Sequence, residues 1–205
     1  MAKKVIYNKT NFLKIMKALA NQGYSGKSLL LALAQSAVET SGFKDDKITS
    51  HNNPSGITFS NNPTRQKNAT RGRKLPESPK YNYAKFNTLD DWAVDFNRIV
   101  GKSMKASTDS ASYAKNLANQ SYYEVSARYP NAIRDYTANL DFHLKNIQRI
   151  IIDNLNSFTP LNLPPNIQLT DKNLPIRPSV KDSPLTTINP VLIAGLVLFA
   201  FIFSS

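Results

Sequence analysis

The sequence from residue 29 to residue 43, LLLALAQSAVETSGF, is apolar almost throughout and carries a single carboxylate, Glu39. The spacing predicts a helix over residues 28–40. Gly42 is placed to end it, because glycine readily adopts the left-handed conformation that closes many helices. A helix this apolar needs apolar surroundings on most of its sides. The segment therefore predicts a helix held inside a domain, with one acidic group at its C-terminal end.

Helical patterns recur through the first 156 residues. Thr10 can cap a first helix, and Thr88 with Asp91 matches the capping box that opens many helices. Two further helices are predicted over residues 110–119 and 131–156. The stretch between residues 43 and 87 is irregular and rich in Asn, Pro, Ser, Lys and Arg, with room for a short hairpin. The sequence therefore predicts a mainly α fold with a small β lobe.

The composition changes after residue 157. Seven of the 12 prolines lie between residues 157 and 190, and proline, which lacks an amide donor, favours an extended tether. No charged residue follows Asp182, and with its uncharged flanks the apolar C-terminal run approaches the ~20 residues that a membrane span needs. A buried apolar tail is the alternative. We expect three segments: a globular domain over 1–157, a Pro-rich linker over 158–187 and a C-terminal transmembrane helix over 188–205.

The chain has a net charge of +12, and 23 of its 26 Lys and Arg residues lie in the first 157 positions. A basic domain of this kind attracts anionic partners, which include nucleic acid, acidic lipid and anionic cell-wall polymers. The same charge can also serve only to keep a surface soluble. Charge alone therefore does not choose among these roles.

Several common chemistries are excluded or disfavoured by the residues present. The chain has no cysteine, so it has no disulfide and no thiolate metal site. Its two histidines, His51 and His143, lie far apart and not in metal-ligand spacing, so we expect no metal and no cofactor. The Gly-Lys-Ser at positions 26–28 invites a phosphate-loop interpretation. That motif needs a glycine where Asn21 stands, so no nucleotide is expected.

Glu39 is the clearest candidate for a catalytic residue. The C-terminal end of a helix carries partial negative charge, which disfavours a carboxylate, and apolar surroundings disfavour it as well. Both effects raise the pKa of the group. A carboxylic acid that is still protonated near neutral pH can act as the general acid in glycosidic bond cleavage. The alternative is a solvated glutamate at a helix end.

Three sequence segments occur in order, the first of which contains Glu39: LAQSAVETSGF, then HNNPSGI, then YAKFNTLDDWAVDFNRIV. In this order and spacing, over residues 29–100, the chain resembles the bacterial glucosaminidases of glycoside hydrolase family 73. These are lysozyme-like peptidoglycan hydrolases that include the flagellar wall-cutting enzymes. The resemblance covers about the first two thirds of the chain. It implies that residues 1–157 form a lysozyme-like α domain with a small β lobe.

The resemblance also implies site residues. Glu39 matches the catalytic acid, and Glu77 falls where the β lobe often carries a second acidic residue. An inverting enzyme holds two carboxyl groups roughly 6.5–9.5 Å apart. The alternatives need no second protein carboxylate: the substrate's N-acetyl group can assist, or one glutamate can do both tasks in a transglycosylase. The expected substrate-binding residues are Asn53, Gly56, Ile57, Phe59, Tyr122 and Tyr123.

These expectations have different sources. Asn53, Gly56 and Ile57 match the family's N-N-x-F-G-I turn. Pro54 and Ser55 depart from that turn and remove an aromatic wall that Phe59 could supply. The pair Tyr122 and Tyr123 falls where the family places a groove-lining tyrosine, and the sequence leaves open which of the two faces the site. The predicted function is therefore hydrolysis of the β-1,4 bonds of peptidoglycan glycan strands by an N-acetylglucosaminidase.

Alternatives remain at this stage. A lytic transglycosylase or a muramidase of the same fold would use the same acid. A non-catalytic, membrane-tethered protein that binds cell wall or nucleic acid would explain the charge but not the ordered motifs, so we expect no nucleic-acid partner. Residues 1–22 have basic residues but no continuous apolar core, so no secretory signal is predicted there. That expectation and the predicted anchor in lipid suit a bacteriophage enzyme. Such an enzyme would lie in the virion membrane or the host inner membrane and act on the wall during entry or lysis.

Overall fold

The computed structural model of the chain describes residues 6–76, 80–123, 125–126 and 129–154, and only the backbone of residues 152–154. The predicted mainly α class is confirmed for this part of the chain, which contains six helices and one two-stranded sheet. In chain order the elements are α1 (Lys9–Asn21), α2 (Gly26–Glu39), α3 (Lys47–His51), β1 (Thr70–Lys74), β2 (Asn82–Lys85), α4 (Leu89–Lys105), α5 (Ser110–Asn119) and α6 (Ala132–Asn154).

Helix α2 lies in the middle of the helical layer, where it contacts α1, α4 and α6. Ten of its 14 residues are buried, as its apolar composition predicts, because no single face can be left in water. The helix ends at Glu39, and the amide of Gly42 donates to the carbonyl of Ala37 over 2.9 Å while Gly42 has a φ of +78°. Ser41, with a φ of +50°, is the first left-handed residue after the cap Thr40, and the predicted Gly42 follows it one residue later.

The other helices differ in how well their ends follow from the sequence. Thr88 and Asp91 form the predicted capping box on α4, with each backbone N–H bonded to the other side chain. The prediction for α1 is wrong: Asn8, not Thr10, is its N-cap, and its Oδ1 accepts from the amide of Asn11. Thr10 lies one residue inside the helix, because asparagine at position 8 supplies an equally good acceptor earlier in the chain.

A small β lobe follows α3. Strands β1 and β2 pair antiparallel, with Thr70 opposite Lys85, which confirms the predicted hairpin. His51 ties the lobe to the helices, since its Nε2 accepts from the amide of Arg73 and its carbonyl accepts from the amide of Phe86. A Cβ on Gly72 would lie 2.4 Å from the ring of His51, so glycine permits this close approach.

The predicted linker over residues 158–187 and the predicted anchor over residues 188–205 lie outside the described residues. Within the part of the chain that is described, no helix has both the length and the apolar character to cross a bilayer.

Candidate active site

Glu39 lines a cleft formed by the helices and by the irregular loop that precedes β1. The last turn of α2 delivers its side chain, which is partly exposed, to a space of about 150 Å³. The other residues around this space come from the turn after α3, from the irregular loop that follows it, from α4 and from the segment after α5. They are Glu39, Ser55, Gly56, Ile57, Thr58, Arg65, Ile99, Tyr122 and Tyr123. Glu39 is therefore reachable from solvent although its helix is buried.

The environment of Glu39 favours its protonated form. Burial raises the pKa of its carboxyl from the ordinary 4.5 to about 7. Two weaker influences act in the opposite direction: a hydrogen bond donated by the Tyr136 hydroxyl to Oε1 over 3.0 Å, and the positive charge of Lys47. A pKa of about 7 leaves about half of the Glu39 carboxyls protonated at neutral pH. This is the range that a general acid needs.

A tight turn keeps the space above Glu39 open. Gly56 has a φ of +61°, and a Cβ built there would lie 3.6 Å from Oε2 of Glu39. Asn53 holds the turn: its Oδ1 accepts from the amide of Ile57 over 2.9 Å, and its Nδ2 donates to the carbonyls of Ile57 and Ala84. Asn53 is buried. It therefore shapes the cleft through the backbone, while Gly56 and Ile57 line it.

Ser55 anchors the same turn to the helices. Its hydroxyl accepts from the indole nitrogen of Trp92 over 2.8 Å, and its carbonyl accepts from the Tyr122 hydroxyl over 2.8 Å. Trp92 is fully buried, as the apolar face of α4 predicts. Ser55 thus supplies a polar link between the turn, α4 and the tyrosine segment.

Both candidate tyrosines line the cleft beside Glu39. Tyr123 stacks on Tyr136, with ring centroids 4.5 Å apart and planes at 19°, and its hydroxyl donates to the carbonyl of Ala114. Tyr122 packs against the turn through Ser55. Stacked aromatic faces at a cleft wall are suited to the apolar face of a planar or ring-shaped ligand.

Buried polar groups of α2 and α5 lie near the tyrosines that line the cleft. The Tyr113 hydroxyl donates to Oε1 of Gln35, one helical turn before Glu39. Nε2 of Gln35 and the hydroxyl of Ser36 have no hydrogen-bond partner among the described residues. The Gln35 side chain is nevertheless close enough to Tyr122 to lower the pKa of that phenol against the larger effect of burial, which raises it.

Two further depressions adjoin the cleft and extend it into a groove. One, of about 330 Å³, shares Arg65, Ile99 and Tyr122 with the cleft. The other, of about 470 Å³, shares Tyr123 and contains Tyr136. Each has a volume typical of a small-ligand site. Glu39 therefore lies between two places where parts of a longer ligand can bind.

Among the described residues, Phe59 is a predicted site residue that does not line this groove. Phe59 is partly buried away from the cleft lining, and the Arg71 guanidinium lies 5.6 Å from the centre of its ring. Glu77 lies outside the described residues. Among the described residues that line the space around Glu39 there is no second carboxylate. Asp46 instead forms a two-bond ion pair with Arg73 at the surface.

The sequence did not predict several lining residues. Arg65 and Thr58 lie in an irregular loop without a periodic pattern, and Ile99 follows the apolar spacing of α4 as a core residue would. Tyr136 lies 97 residues from Glu39 along the chain, and its position on an apolar helical stripe did not distinguish a core role from a ligand-facing one. Only the packing of α6 against α2 brings it to the carboxyl.

Comparisons with known proteins were made by family, by sequence and by structure. No protein-family model matches the chain, and no curated protein matches it. Among solved structures it is similar to a chain of the "type VI secretion system effector-immunity complex from Pseudomonas protegens", with 19% identity and a TM-score of 0.44. The match covers 66% of this chain and 92% of that one. These comparisons indicate no function, so a function has to be inferred from the side chains of the groove.

Proposed function

We propose that this protein is a peptidoglycan hydrolase that cleaves β-1,4 glycosidic bonds of the bacterial cell wall, as an N-acetylglucosaminidase with a lysozyme-like domain. The observation that carries the proposal is the single carboxyl of Glu39, with its pKa raised to about 7 by burial, in the lining of an open groove. Glycosidic bond cleavage near neutral pH needs a group that can give a proton to the leaving oxygen.

In this proposal Glu39 is the general acid. Its proton passes to the glycosidic oxygen as the C1–O bond breaks. A water molecule completes the hydrolysis by adding to C1 and giving up a proton, to Glu77 in an inverting reaction or back to Glu39 where the substrate's N-acetyl group assists. The first proton transfer leaves Glu39 as a poorly hydrated carboxylate. The Tyr136 hydroxyl, 3.0 Å from Oε1, and the charge of Lys47 then stabilise that carboxylate. The groove on either side of Glu39 would hold sugars on both sides of the scissile bond, and Tyr122 and Tyr123 would contact the sugar rings.

A second candidate within the same class is a lytic transglycosylase, in which one glutamate acts as both acid and base. The observation that favours it is the lack of a second carboxylate among the described residues around Glu39. Glu77 remains the candidate base for an inverting hydrolase. A loss of activity in Glu77→Gln as large as in Glu39→Gln would favour the hydrolase, whereas a loss under about threefold would favour the single-acid reaction.

The cellular setting belongs to the same proposal. A positively charged domain would remain close to the anionic wall, and a C-terminal anchor in a virion or host inner membrane would keep it near its substrate. This arrangement suits a bacteriophage that enters or lyses its host through the wall. Flotation of the full-length chain with lipid vesicles tests the anchor, since a chain that remains in the aqueous phase has none.

Mass spectrometry of the products released from purified peptidoglycan tests the function. A glucosaminidase leaves N-acetylglucosamine at the reducing end, a muramidase leaves N-acetylmuramic acid, and a transglycosylase leaves an anhydro sugar. We expect the first. Release of no muropeptide by the full-length, folded protein in detergent would overturn the proposal, with Glu39→Gln as the inactive control.

A further inference from the structure

The depression of about 330 Å³ at one end of the groove is lined by polar and basic side chains. Its described lining residues are Asn62, Thr64, Arg65, Arg98, Ile99, Gln120 and Tyr122, and none of these is acidic. We name this depression the arginine pocket. Two guanidinium groups beside a catalytic cleft form an environment that favours an anionic ligand.

The two arginines differ in how far their charge is already compensated. Arg98 lies 3.7 Å from Oδ1 of the buried Asp95 through its Nε, so part of its charge is offset. Arg65 is exposed, and no ion pair joins it to any described carboxylate. Its charge is close enough to Tyr122 to lower the pKa of that phenol against the effect of burial. Arg65 therefore supplies most of the uncompensated charge at the pocket.

A third donor comes from the loop before Arg65. Oδ1 of Asn62 accepts hydrogen bonds from both the amide and the hydroxyl of Thr64, at 2.9 and 2.7 Å. Its oxygen is thus occupied within the turn, and its Nδ2 donor forms no hydrogen bond with the other described residues. A planar anion with two oxygens matches such a set, because a guanidinium fork donates two parallel hydrogen bonds.

The opposite end of the groove has a different character. The larger depression, of about 470 Å³, is lined by Tyr123, Tyr129 and Tyr136, and its one charged lining residue among those described is Asp135. The groove therefore differs along its length: one depression is basic, the cleft holds the acid Glu39, and the other depression is aromatic. A neutral glycan gives no reason for this asymmetry, whereas a glycan with an acidic branch at a fixed distance from the cleaved bond does.

We infer that the arginine pocket binds a carboxylate carried by a branch of the glycan substrate, next to the bond at Glu39. The inference rests on the proposed function and adds to it the substrate class: an acidic, substituted glycan in preference to a neutral one. The carboxylate can come from a peptide attached to the glycan or from the lactyl group of a muramic acid whose peptide has been removed. The pocket shares Arg65, Ile99 and Tyr122 with the cleft, so one ligand can occupy both.

Binding measurements on the full-length protein in detergent test this, with Glu39→Gln as the background so that ligands stay intact. Three soluble ligands of equal length are compared by calorimetry: glycan fragments that carry peptides, the same fragments after an amidase has removed the peptides, and neutral chito-oligosaccharides. We expect the acidic fragments to bind more tightly than the neutral ones. The ratio of acidic to neutral affinity is the quantity of interest.

Arg65→Gln should lower that ratio about fivefold, as expected for loss of one partly exposed charge pair, and Arg65→Glu should lower it further. The matched control is Arg149→Gln, which removes the same charge from an exposed position on α6 and should leave the ratio unchanged. A fall only for the peptide-bearing fragments identifies a peptide carboxylate, and a fall for the amidase-treated ones identifies the lactyl group. Either result supports the inference.

The failures are distinguishable. If the three ligands bind with the same ratio before and after Arg65→Gln, the inference is overturned while the proposed function stands. If none of the glycans binds and none is cleaved by the protein with Glu39 intact, the proposed function fails and the inference fails with it.

Discussion

Two carboxyl groups on the helices of this protein, Asp95 and Glu39, differ in how many hydrogen-bond donors the described residues offer them. Asp95, inside α4, is fully buried, and its oxygens accept from the amides of Lys67 and Asn68 at 2.9–3.0 Å. Arg98 adds a positive charge 3.7 Å away. Glu39, at the end of α2, accepts from one donor among the described residues, the Tyr136 hydroxyl. Its pKa is raised to about 7 because burial outweighs that bond.

The difference lies in the number of donors and in access. Asp95 accepts backbone hydrogen bonds from the amides of Lys67 and Asn68 and so joins α4 to the loop that contains them. A carboxyl with few donors retains its proton and, if a cleft reaches it, can give that proton to a ligand. Burial alone therefore does not identify a catalytic acid in this fold.

The largest expected effect is on activity at Glu39. Glu39→Gln preserves the shape of the side chain but cannot donate an acidic proton, and general acid catalysis typically contributes about 10²–10⁴ in rate. We expect release of muropeptides to fall at least about a hundredfold with the circular dichroism spectrum unchanged. Near-native release by the purified variant would remove Glu39 from the reaction.

At Asp95 the expected effect is on stability. Asp95→Ala leaves the amides of Lys67 and Asn68 without their acceptor, and we expect it to lower the free energy of unfolding by ~2–4 kcal/mol. Urea denaturation measures the loss. Asp95→Asn, which keeps one acceptor oxygen, should lose less, and equal stability of Asp95→Ala and the parent protein would show that the joint is dispensable.

Stability should also depend on pH through Glu39. The folded pKa of about 7 lies above the ordinary 4.5, so the folded state binds the extra proton between these values. The contribution of this proton to the free energy of unfolding is fully present below about pH 4.5 and is lost as the pH rises through 7. Relative to the parent, Glu39→Gln should therefore gain up to ~3 kcal/mol between pH 4.5 and pH 8. A pH-independent difference between the two unfolding curves would contradict the raised pKa.

The smallest effect concerns the hydrogen bond to Glu39. Tyr136→Phe removes a hydrogen bond that lowers the pKa of the carboxyl, so that pKa should rise. The alkaline limb of the activity profile should then move upward by about one pH unit. Tyr81→Phe, at an exposed position in the β lobe, is the matched control. A limb that stays in place in Tyr136→Phe would mean that the bond does not influence the acid.

The local features of the fold follow well from the sequence. The bounds of α5, Ser110–Asn119, agree with the prediction, and the capping box at Thr88 and the buried Trp92 follow from side-chain chemistry within one helix. The five-residue helix α3 was not predicted, because it is too short for a periodic pattern. The start of α1 was misplaced because two residues in the same turn can each cap a helix.

The site residues that the sequence suggested came from one stretch after α2 and from the family resemblance, not from any view of tertiary packing. Glu39 and the turn at Gly56 come from one continuous stretch, and the structure brings Tyr122 and Tyr123 to the same cleft. Tyr136 and Arg65 could not be placed in this way, since their contact with the cleft depends on how α6 and the irregular loop pack against α2. The number of donors around a carboxyl likewise depends on tertiary packing.

The proton affinity of Glu39 is the quantity on which the comparison of the two carboxylates and the proposed chemistry both depend. It is measured by a ¹³C NMR titration of the side-chain carboxyls, with the Glu39 signal assigned by its loss in Glu39→Gln. We predict a midpoint at about pH 7. A midpoint near the ordinary 4.5 would mean that Glu39 is ionised at neutral pH, and it would contradict its role as the acid.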